Sequence, residues 1–338
     1  MSGHRVLLVG AGAMGRAWAC AITARSDLTL GAWVDLDPAA VEAGLGRLTG
    51  QEVGAIHVDT DLERAIAVTR PSFAVDATVP EAHFEVTLSC LESGVPVLGE
   101  KPMSATLGEA RRLVEASDRT GVLFTVSQSR RYNSQLAALR STVAEHLGGA
   151  ELVACQFYRA PHFGGFRDEM QSPLLGDMAI HTFDAARWLI GADPVAVYCD
   201  EYNPTWSWYK GAACATAVFE FAGGARFSYS GSWCAEGFET SWEGQWRVVG
   251  PAGTAVWDGH SAPVGEVVDA PGATPRTVVS TPEESVAQGI DGSLAEFVTS
   301  LETGSMPMGE CHDNIKSLAM CVAAIGSART GTRALVET

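Results

Sequence analysis

Three groups of residues have types and spacings that could do chemistry. The first is Gly99-Glu100-Lys101-Pro102. An ammonium beside a proline-fixed backbone can stabilise a developing alkoxide or lend it a proton. Lysine is scarce in this chain, with only Lys101, Lys210 and Lys316 against twenty arginines, so each lysine raises the question of why it is not arginine. The plain alternative for Lys101 is a solvated strand-end lysine paired with Glu100. The second group is Asp177, His181 and Asp184. On a helix the His lies four residues after the first Asp and the second Asp three further on. All three then share one stripe, with Ile180, Phe183 and Leu189 on the other side. A carboxylate one turn from an imidazole orients the ring and favours its protonated form, which suits a general base near neutral pH. A helical Asp/His pair is as often structural. The third group is the G-x-G-x-x-G turn Gly10-Ala11-Gly12-Ala13-Met14-Gly15. Its first glycine permits a tight turn, its second lets the backbone approach a pyrophosphate, and its third lets a helix pack closely on a strand. The amides at that helix start would then bind the anion.

Those residues need elements to hold them. The apolar run Val6 to Val9 predicts a strand ending at Gly10, and a helix follows from about Met14 to Ala24. The next run, Leu28 to Val34, ends at Asp35, whose carboxylate could accept from ribose hydroxyls and would repel a 2′-phosphate. Leu36 to Gly46 contains no Arg or Lys, so NAD is favoured over NADP. Asp37-Pro38 reads as an N-cap followed by proline at the first helical position. Further runs at Phe73 to Val79, Val95 to Leu98 and Val122 to Val126 alternate with helix-length segments such as Glu81 to Glu92 and Leu107 to Arg119. This is the pattern of a doubly wound parallel sheet, an α/β Rossmann domain over residues 1–127, with Lys101 at its carboxyl edge.

After Ser127 the rhythm changes. Helices are predicted over about Asn133 to His146 and Leu174 to Ile190, with a strand at Glu151 to Tyr158. From Val195 to Val279 strands such as Thr216 to Phe221, Ala225 to Gly231 and Gln245 to Val249 follow one another without helices. Residues 128–338 therefore read as an α+β domain with a large open, mainly antiparallel sheet. Capping-box spacing at Thr281-Pro282-Glu283-Glu284 and from Ser293 to Glu296 predicts two closing helices.

Composition narrows the function classes. At roughly 150 residues per domain, 338 residues suit two domains. A composition of 46% hydrophobic and 19% charged residues excludes a disordered chain. The net charge of −17 argues against nucleic acid and anionic membranes as partners. Eight cysteines are scattered singly, without metal-ligand spacing, so no metal is expected and a reduced, cytoplasmic chain is. Ala17-Trp18-Ala19 superficially resembles a signal-peptide cleavage site, but the apolar stretch before it is broken by glycines and by Arg16. No run of eighteen apolar residues predicts a membrane span.

Taken in order, Gly10 to Gly15, Asp35, Thr78-x-Pro80-x-x-His83, Glu100-Lys101-Pro102, Arg130-Arg131-Tyr132, Asp177-x-x-x-His181-x-x-Asp184 and a last helix ending near Ser327-x-x-Thr330-Gly331 resemble the glucose-fructose oxidoreductase/inositol dehydrogenase (Gfo/Idh/MocA) family over nearly the full length. The resemblance implies bound NAD(H) or NADP(H), hydride exchange at a hydroxyl-bearing carbon of a sugar or cyclitol, and a homodimer or homotetramer formed through the second sheet. It makes Lys101 the catalytic lysine and His181 the proton acceptor, with Asp177 beside it. It sets Gly10, Gly12, Ala13, Met14, Gly15, Asp35, Thr78, Pro80, His83, Glu100 and Lys101 against the dinucleotide, with Arg130 and Tyr158 toward the substrate. Met178 departs from the inositol dehydrogenase pattern, where a hydroxyl-bearing residue is common, and argues against inositol itself. Alternatives are a reductase of a non-sugar carbonyl or dihydrodiol compound and a catalytically silent dinucleotide-binding regulator. The intact Lys101 and Asp177/His181 argue against both. Six of nine tryptophans lie between Trp206 and Trp257. They could pack on sugar C–H faces or fill the core. Arg159, His162 and Arg167 could meet an acidic group of the substrate or face solvent.

Overall fold

Alternating apolar runs and amphipathic segments build a parallel sheet covered on both faces in the first of two units. A computed structural model describes residues 3–48, 53–282 and 287–338. One unit comprises the chain to Ser129 together with Ile290–Ile315, and the other comprises Arg130–Gly289 with Lys316–Thr338. In the first unit the order is β1 (His4–Val9), α1 (Ala13–Thr23), β2 (Leu28–Val34), α2 (Pro38–Leu45), β3 (His57–Asp59), α3 (Leu62–Thr69), β4 (Phe73–Asp76), α4 (Pro80–Glu92), β5 (Val97–Gly99), α5 (Leu107–Thr120) and β6 (Phe124–Val126). The strands lie in the order β3-β2-β1-β4-β5-β6, and every pair is parallel. Val6, Leu7, Leu8, Ala74 and Val75 are buried because helices cover both faces. The order reverses between β1 and β4, and a crevice outside the carboxyl ends at such a point is where this topology takes its ligand. Strand β3 and helix α3 were not foreseen: His57-Val58-Asp59 is too short and too polar to stand out as an apolar run. The expected cap of α2 is present, with Asp37 accepting from the Ala39 amide at 3.0 Å and Pro38 opening the helix.

The second unit contains α6 (Ser134–Thr142), β7 (Leu152–Tyr158), α7 (Phe166–Glu169), α8 (Ala179–Ile190), β8 (Pro194–Tyr202), β9 (Cys214–Phe221), β10 (Arg226–Ser232), β11 (Gln245–Gly250), β12 (Gly253–Trp257), β13 (Val264–Val267) and β14 (Arg276–Val279). Later come α9 (Gly289–Thr303), α10 (Cys311–Thr330) and β15 (Ala334–Leu335). Nine strands run in the order β14-β13-β12-β11-β7-β10-β9-β8-β15, antiparallel except for the parallel pair β7/β10. Alternation sets Val153, Cys155 and Phe157 inward and Leu152 and Gln156 outward. Phe183 of α8 packs edge-on against Phe219 at 4.7 Å and Tyr229 at 5.2 Å, closing the core beneath the sheet.

Three expectations change. Leu174 to Ile190 is not one regular helix: Leu174–Met178 forms a π-helical turn, and α8 begins only at Ala179. Helix α9 begins before Ser293, which is buried inside it and so cannot cap it. The box at Thr281 to Glu284 runs into residues 283–286, outside the described residues. Finally, Ile290–Ile315, expected in the second domain, belongs to the first unit. Leu294, Phe297 and Val298 of α9 join the core that holds Trp18, Phe73 and Val75, with Phe297 edge-on to Phe73 at 5.3 Å. An amphipathic stripe shows that a helix covers something apolar, and two sheets were available. Phe297→Ala should therefore destabilise the protein by about 3–5 kcal/mol, seen as a lower urea midpoint; a loss below about 1 kcal/mol would place α9 outside this core.

Candidate active site

At the β1–α1 turn each glycine answers a different constraint. Gly10 has φ +98°, and a Cβ there would lie 2.5 Å from the Ala77 carbonyl oxygen. A Cβ on Gly15 would lie 2.0 Å from the Gly10 oxygen. Gly12 differs: a Cβ there would meet no atom of the described residues within 4 Å. Its missing side chain leaves open space at the start of α1, where no side chain caps the helix. The first amides of a helix have no intrahelical acceptor. The turn's carbonyls are already used, since Trp33 Nε1 donates to Gly10 O at 2.9 Å and Arg16 Nη1 to Ala11 O at 2.8 Å. What remains is a set of donors at the positive end of a helix dipole around Ala13 and Met14, with room for a pyrophosphate. The residues present fit a dinucleotide.

Around this turn the loops after β2, β4 and β5 are tied to one another. Asp35 Oδ2 accepts from the Ala11 amide at 2.6 Å and Oδ1 from the Asp37 amide at 2.9 Å, so its carboxylate braces the glycine turn while retaining acceptor capacity. Buried Asp76 accepts from the Thr78 amide and hydroxyl, at 3.1 and 2.6 Å, and from the Thr87 hydroxyl at 3.0 Å, fixing the loop that leads to Pro80, the first residue of α4. His83 is a correction. It is fully buried, with Nδ1 2.7 Å from Pro102 O and Nε2 3.1 Å from Thr78 O. A neutral ring can donate to only one of these two carbonyls, and the side chain is packed between the two loops, out of contact with solvent. Glu100 is buried too; Oε1 accepts from Trp18 Nε1 at 2.8 Å and Oε2 from the Lys101 amide at 3.2 Å. Burial pushes its carboxyl up, opposed by the Trp18 hydrogen bond and by the Lys101 charge. Lys101 follows, half-buried, ahead of the cis proline Pro102. Trp18, Asp76 and the bracing role of Asp35 escaped the sequence; one signal was available, a tryptophan inside the helix that the glycine turn opens.

The second unit carries Asp177 on the π-helical turn and half-buried His181 in the first turn of α8. Asp177 Oδ2 accepts from Arg167 Nε at 2.6 Å, a partner that the helical spacing did not suggest. Asp184 leaves the expected stripe. It is fully buried, clasped by Arg131 through Nε at 2.8 Å and Nη2 at 2.7 Å, and it accepts from the Ser317 hydroxyl at 2.6 Å. That pair anchors α8 beneath His181 and offers no group to a ligand. Arg130 is buried with Nη2 donating to Trp242 O and Nε 3.3 Å from Glu243. Burial pulls its guanidinium down, against the Glu243 charge. Only its Nη1 lacks a partner among the described residues, so any substrate contact must use that group. Tyr158, the last residue of β7, lies by alternation on the outward face, bonded to Ser230 Oγ at 2.9 Å. The tryptophans divide: Trp233, Trp246 and Trp257 are core, whereas Trp206 and Trp242 are exposed.

Other clusters stand apart from these residues. A shallow concavity of about 530 Å³, lined by Ala154, Gln156, Gln245, Arg247 and Val256, opens on the outward face of the second sheet and holds none of them. Glu310, Cys311 and His312 bring possible metal ligands within 4.8 Å of one another, which scattered cysteines did not predict. They satisfy one another, however, through His312 Nδ1–Glu310 at 2.7 Å and Cys311 Sγ–Glu310 at 3.0 Å. Glu201 on β8 accepts from the Ser172 hydroxyl at 3.0 Å, just ahead of the turn that carries Asp177. Its other oxygen is buried without a partner among the described residues, and burial pushes its carboxyl up to about 7.

The first unit is thus a dinucleotide-binding Rossmann fold of the kind oxidoreductases use. A model described as "Oxidoreductase family, NAD-binding Rossmann fold" matches residues 4–128, and the GFO/IDH/MocA C-terminal domain matches residues 138–256. The chain belongs to the Gfo/Idh/MocA oxidoreductase family. It is 29% identical to inositol 2-dehydrogenase 4 of Saccharopolyspora erythraea, over 98% of this chain and 96% of that one. It is 26% identical to the 1,5-anhydro-D-fructose reductase of Ensifer adhaerens, over 98% of both. An oxidoreductase from Agrobacterium radiobacter, solved with NAD+, L-tartaric acid and magnesium, superposes with a TM-score of 0.86 at 20% identity over 98% of each chain and shares the fold.

Two outcomes follow. Gly12→Ala should change stability by about 1 kcal/mol or less and weaken NAD binding at least about tenfold, whereas Gly10→Ala should cost about 1–3 kcal/mol of stability through its backbone conformation alone. Calorimetric titration and thermal melts separate them, and unchanged NAD affinity in Gly12→Ala would contradict the pyrophosphate assignment. For Glu201, the folded chain keeps a proton that the unfolded chain releases near 4.5. The resulting stability is fully present below that pH and is lost as the pH rises through about 7. Glu201→Gln should flatten that decline in urea midpoints, and an unaltered pH slope would rule the group out.

Proposed function

We propose that this chain is an NAD-dependent dehydrogenase exchanging hydride with a hydroxyl-bearing carbon of a sugar, sugar derivative or cyclitol. The observation that carries the reading is the opening at Gly12, an uncapped helix start with space that the protein's own side chains leave unfilled. Asp35, followed by a segment from Leu36 to Gly46 without Arg or Lys, supports NAD over NADP. Nicotinamide, when bound, supplies a hydride acceptor or donor at its C4. The chain's own groups do the rest. The imidazole of His181 takes the hydroxyl proton, and Asp177 with Arg167 holds the turn from which α8 starts. The Lys101 ammonium stabilises the alkoxide as it forms. Buried Glu100 and His83 fix the backbone on either side of Lys101, so that its position is set by hydrogen bonds on neighbouring loops.

The inositol 2-dehydrogenase and anhydrofructose reductase relatives support a small polyhydroxylated substrate. The outward face of the second sheet, with Leu152, Tyr198, Tyr202, Val218 and Val256 exposed, supports pairing of two copies through it. Eight free thiols support a reduced, cytoplasmic setting, and among the described residues no helix is long and apolar enough to cross a membrane.

The test is a screen with NAD against cyclitols, aldoses and sugar acids, read by NADH absorbance and repeated with His181→Ala. The variant should lose about 100- to 10,000-fold in kcat and keep its NADH affinity. NAD binding without turnover across the whole panel would favour the regulator reading, and equal loss of turnover and cofactor affinity would remove His181 as the base.

A further inference from the structure

Between β7 and the turn carrying Asp177 lie three basic side chains, and the structure spends them unequally. Arg159 donates through Nη1 to Thr240 O at 2.9 Å, pairs with Glu239 at 3.0 Å and lies over the Trp242 ring at 4.5 Å. His162 stacks on Trp208 at 3.8 Å and meets Glu236 at 3.1 Å. Arg167 uses one donor, Nε, on Asp177. A guanidinium has five N–H donors in a rigid plane, and the four on Nη1 and Nη2 donate to nothing among the described residues. The group is nevertheless held on its other sides. Asp177 fixes the Nε edge, and the aromatic rings of Phe166, at 4.6 Å, and Phe163, at 5.3 Å, lie against its face. The edge bearing Nη1 and Nη2 is the part left to meet a ligand, and the side chain is about one-third exposed (32%).

Two parallel N–H groups in one plane match the two oxygens of a carboxylate, and such charge-assisted pairs are roughly twice as strong as neutral hydrogen bonds. A hydroxyl could accept from the same edge, but its own proton would then need a further acceptor. The Asp177 carboxylate beside the guanidinium repels a dianionic phosphate more strongly than a singly charged carboxylate. We propose that Arg167 is a specificity-determining residue that recognises a carboxylate on the substrate, making the preferred substrates sugar acids or other hydroxylated carboxylic acids in place of neutral polyols. This rests on the dehydrogenase reading above, with Asp177 joining the anion-recognising edge to the turn just ahead of His181.

The experiment compares kcat/KM with NAD for matched sets, for example glucose, gluconate, glucuronate and glucose 6-phosphate, in the wild type, Arg167→Gln and Arg167→Lys. The wild type should favour carboxylates over their neutral counterparts at least about tenfold. Arg167→Gln should lower kcat/KM for the acid by about 10- to 100-fold, chiefly through KM, and collapse the acid-to-neutral ratio; Arg167→Lys should restore only part of it. A wild type that prefers neutral sugars, a preference for the phosphate, or an unchanged ratio in Arg167→Gln would each overturn the proposal. Calorimetric binding of the same acids to the NADH-loaded protein separates the two layers. Arg167-dependent binding without turnover upholds the recognition and overturns the dehydrogenase reading, whereas no binding of any acid overturns the recognition itself.

Discussion

At the turn between β1 and α1, backbone passes backbone at distances that no side chain tolerates, and the rest of the first unit is arranged around that approach. A Cβ at Gly15 would sit 2.0 Å from the Gly10 oxygen, and one at Gly10 would sit 2.5 Å from the Ala77 oxygen. The first contact draws the start of α1 onto the end of β1; the second brings the loop after β4 against the same turn. Gly10 must also adopt a left-handed conformation, which glycine takes without strain. Everything placed at this edge inherits its position from that packing. Trp33 and Arg16 tie down the turn's carbonyls, Asp35 braces its amide, and Trp18 reaches from α1 to the carboxylate beside Lys101. Gly12 is the exception, since no atom of the described residues lies within 4 Å of where its Cβ would be.

In the second unit the corresponding constraint is electrostatic. Asp184 and Arg131 are buried together, and a buried ion pair tolerates the loss of both partners far better than the loss of one. Ser317 accepts from Arg187 Nη1 at 2.9 Å and donates to Asp184, so α8 is tied to α10 through a buried polar network inside an otherwise apolar core. The half-buried His181 therefore projects from a helix whose rotation is fixed from below, while Asp177, one turn earlier, sits in a looser π-helical turn and accepts from Arg167 of the short helix α7.

The strand-helix alternation, the glycine turn, the Asp37 cap and the change to successive strands after Ser127 were all legible in the sequence, because each depends on neighbours close along the chain. What was not legible depends on long-range partners. Periodicity placed Asp184 on a stripe with His181, but the Arg131 that draws it inward lies 53 residues away. His83 matched a cofactor-side motif, yet burial turns it into a tie between Thr78 and Pro102. The return of Ile290–Ile315 to the first unit has the same origin, since an amphipathic stripe carries no address. Lysine scarcity drew attention to Lys101, but its setting between Glu100 and Pro102 is the ground for the chemical role proposed for it.

In the reading proposed above, the uncapped start of α1, with Asp35 bonded to its turn, holds an NAD-type dinucleotide. Titration of the purified protein with NADH and NADPH, followed by quenching of tryptophan emission, tests it most directly. Saturable binding of NADH at least about tenfold tighter than that of NADPH is expected, because the Asp35 carboxylate would repel a 2′-phosphate. Binding of neither dinucleotide, or tighter binding of NADPH, would contradict it.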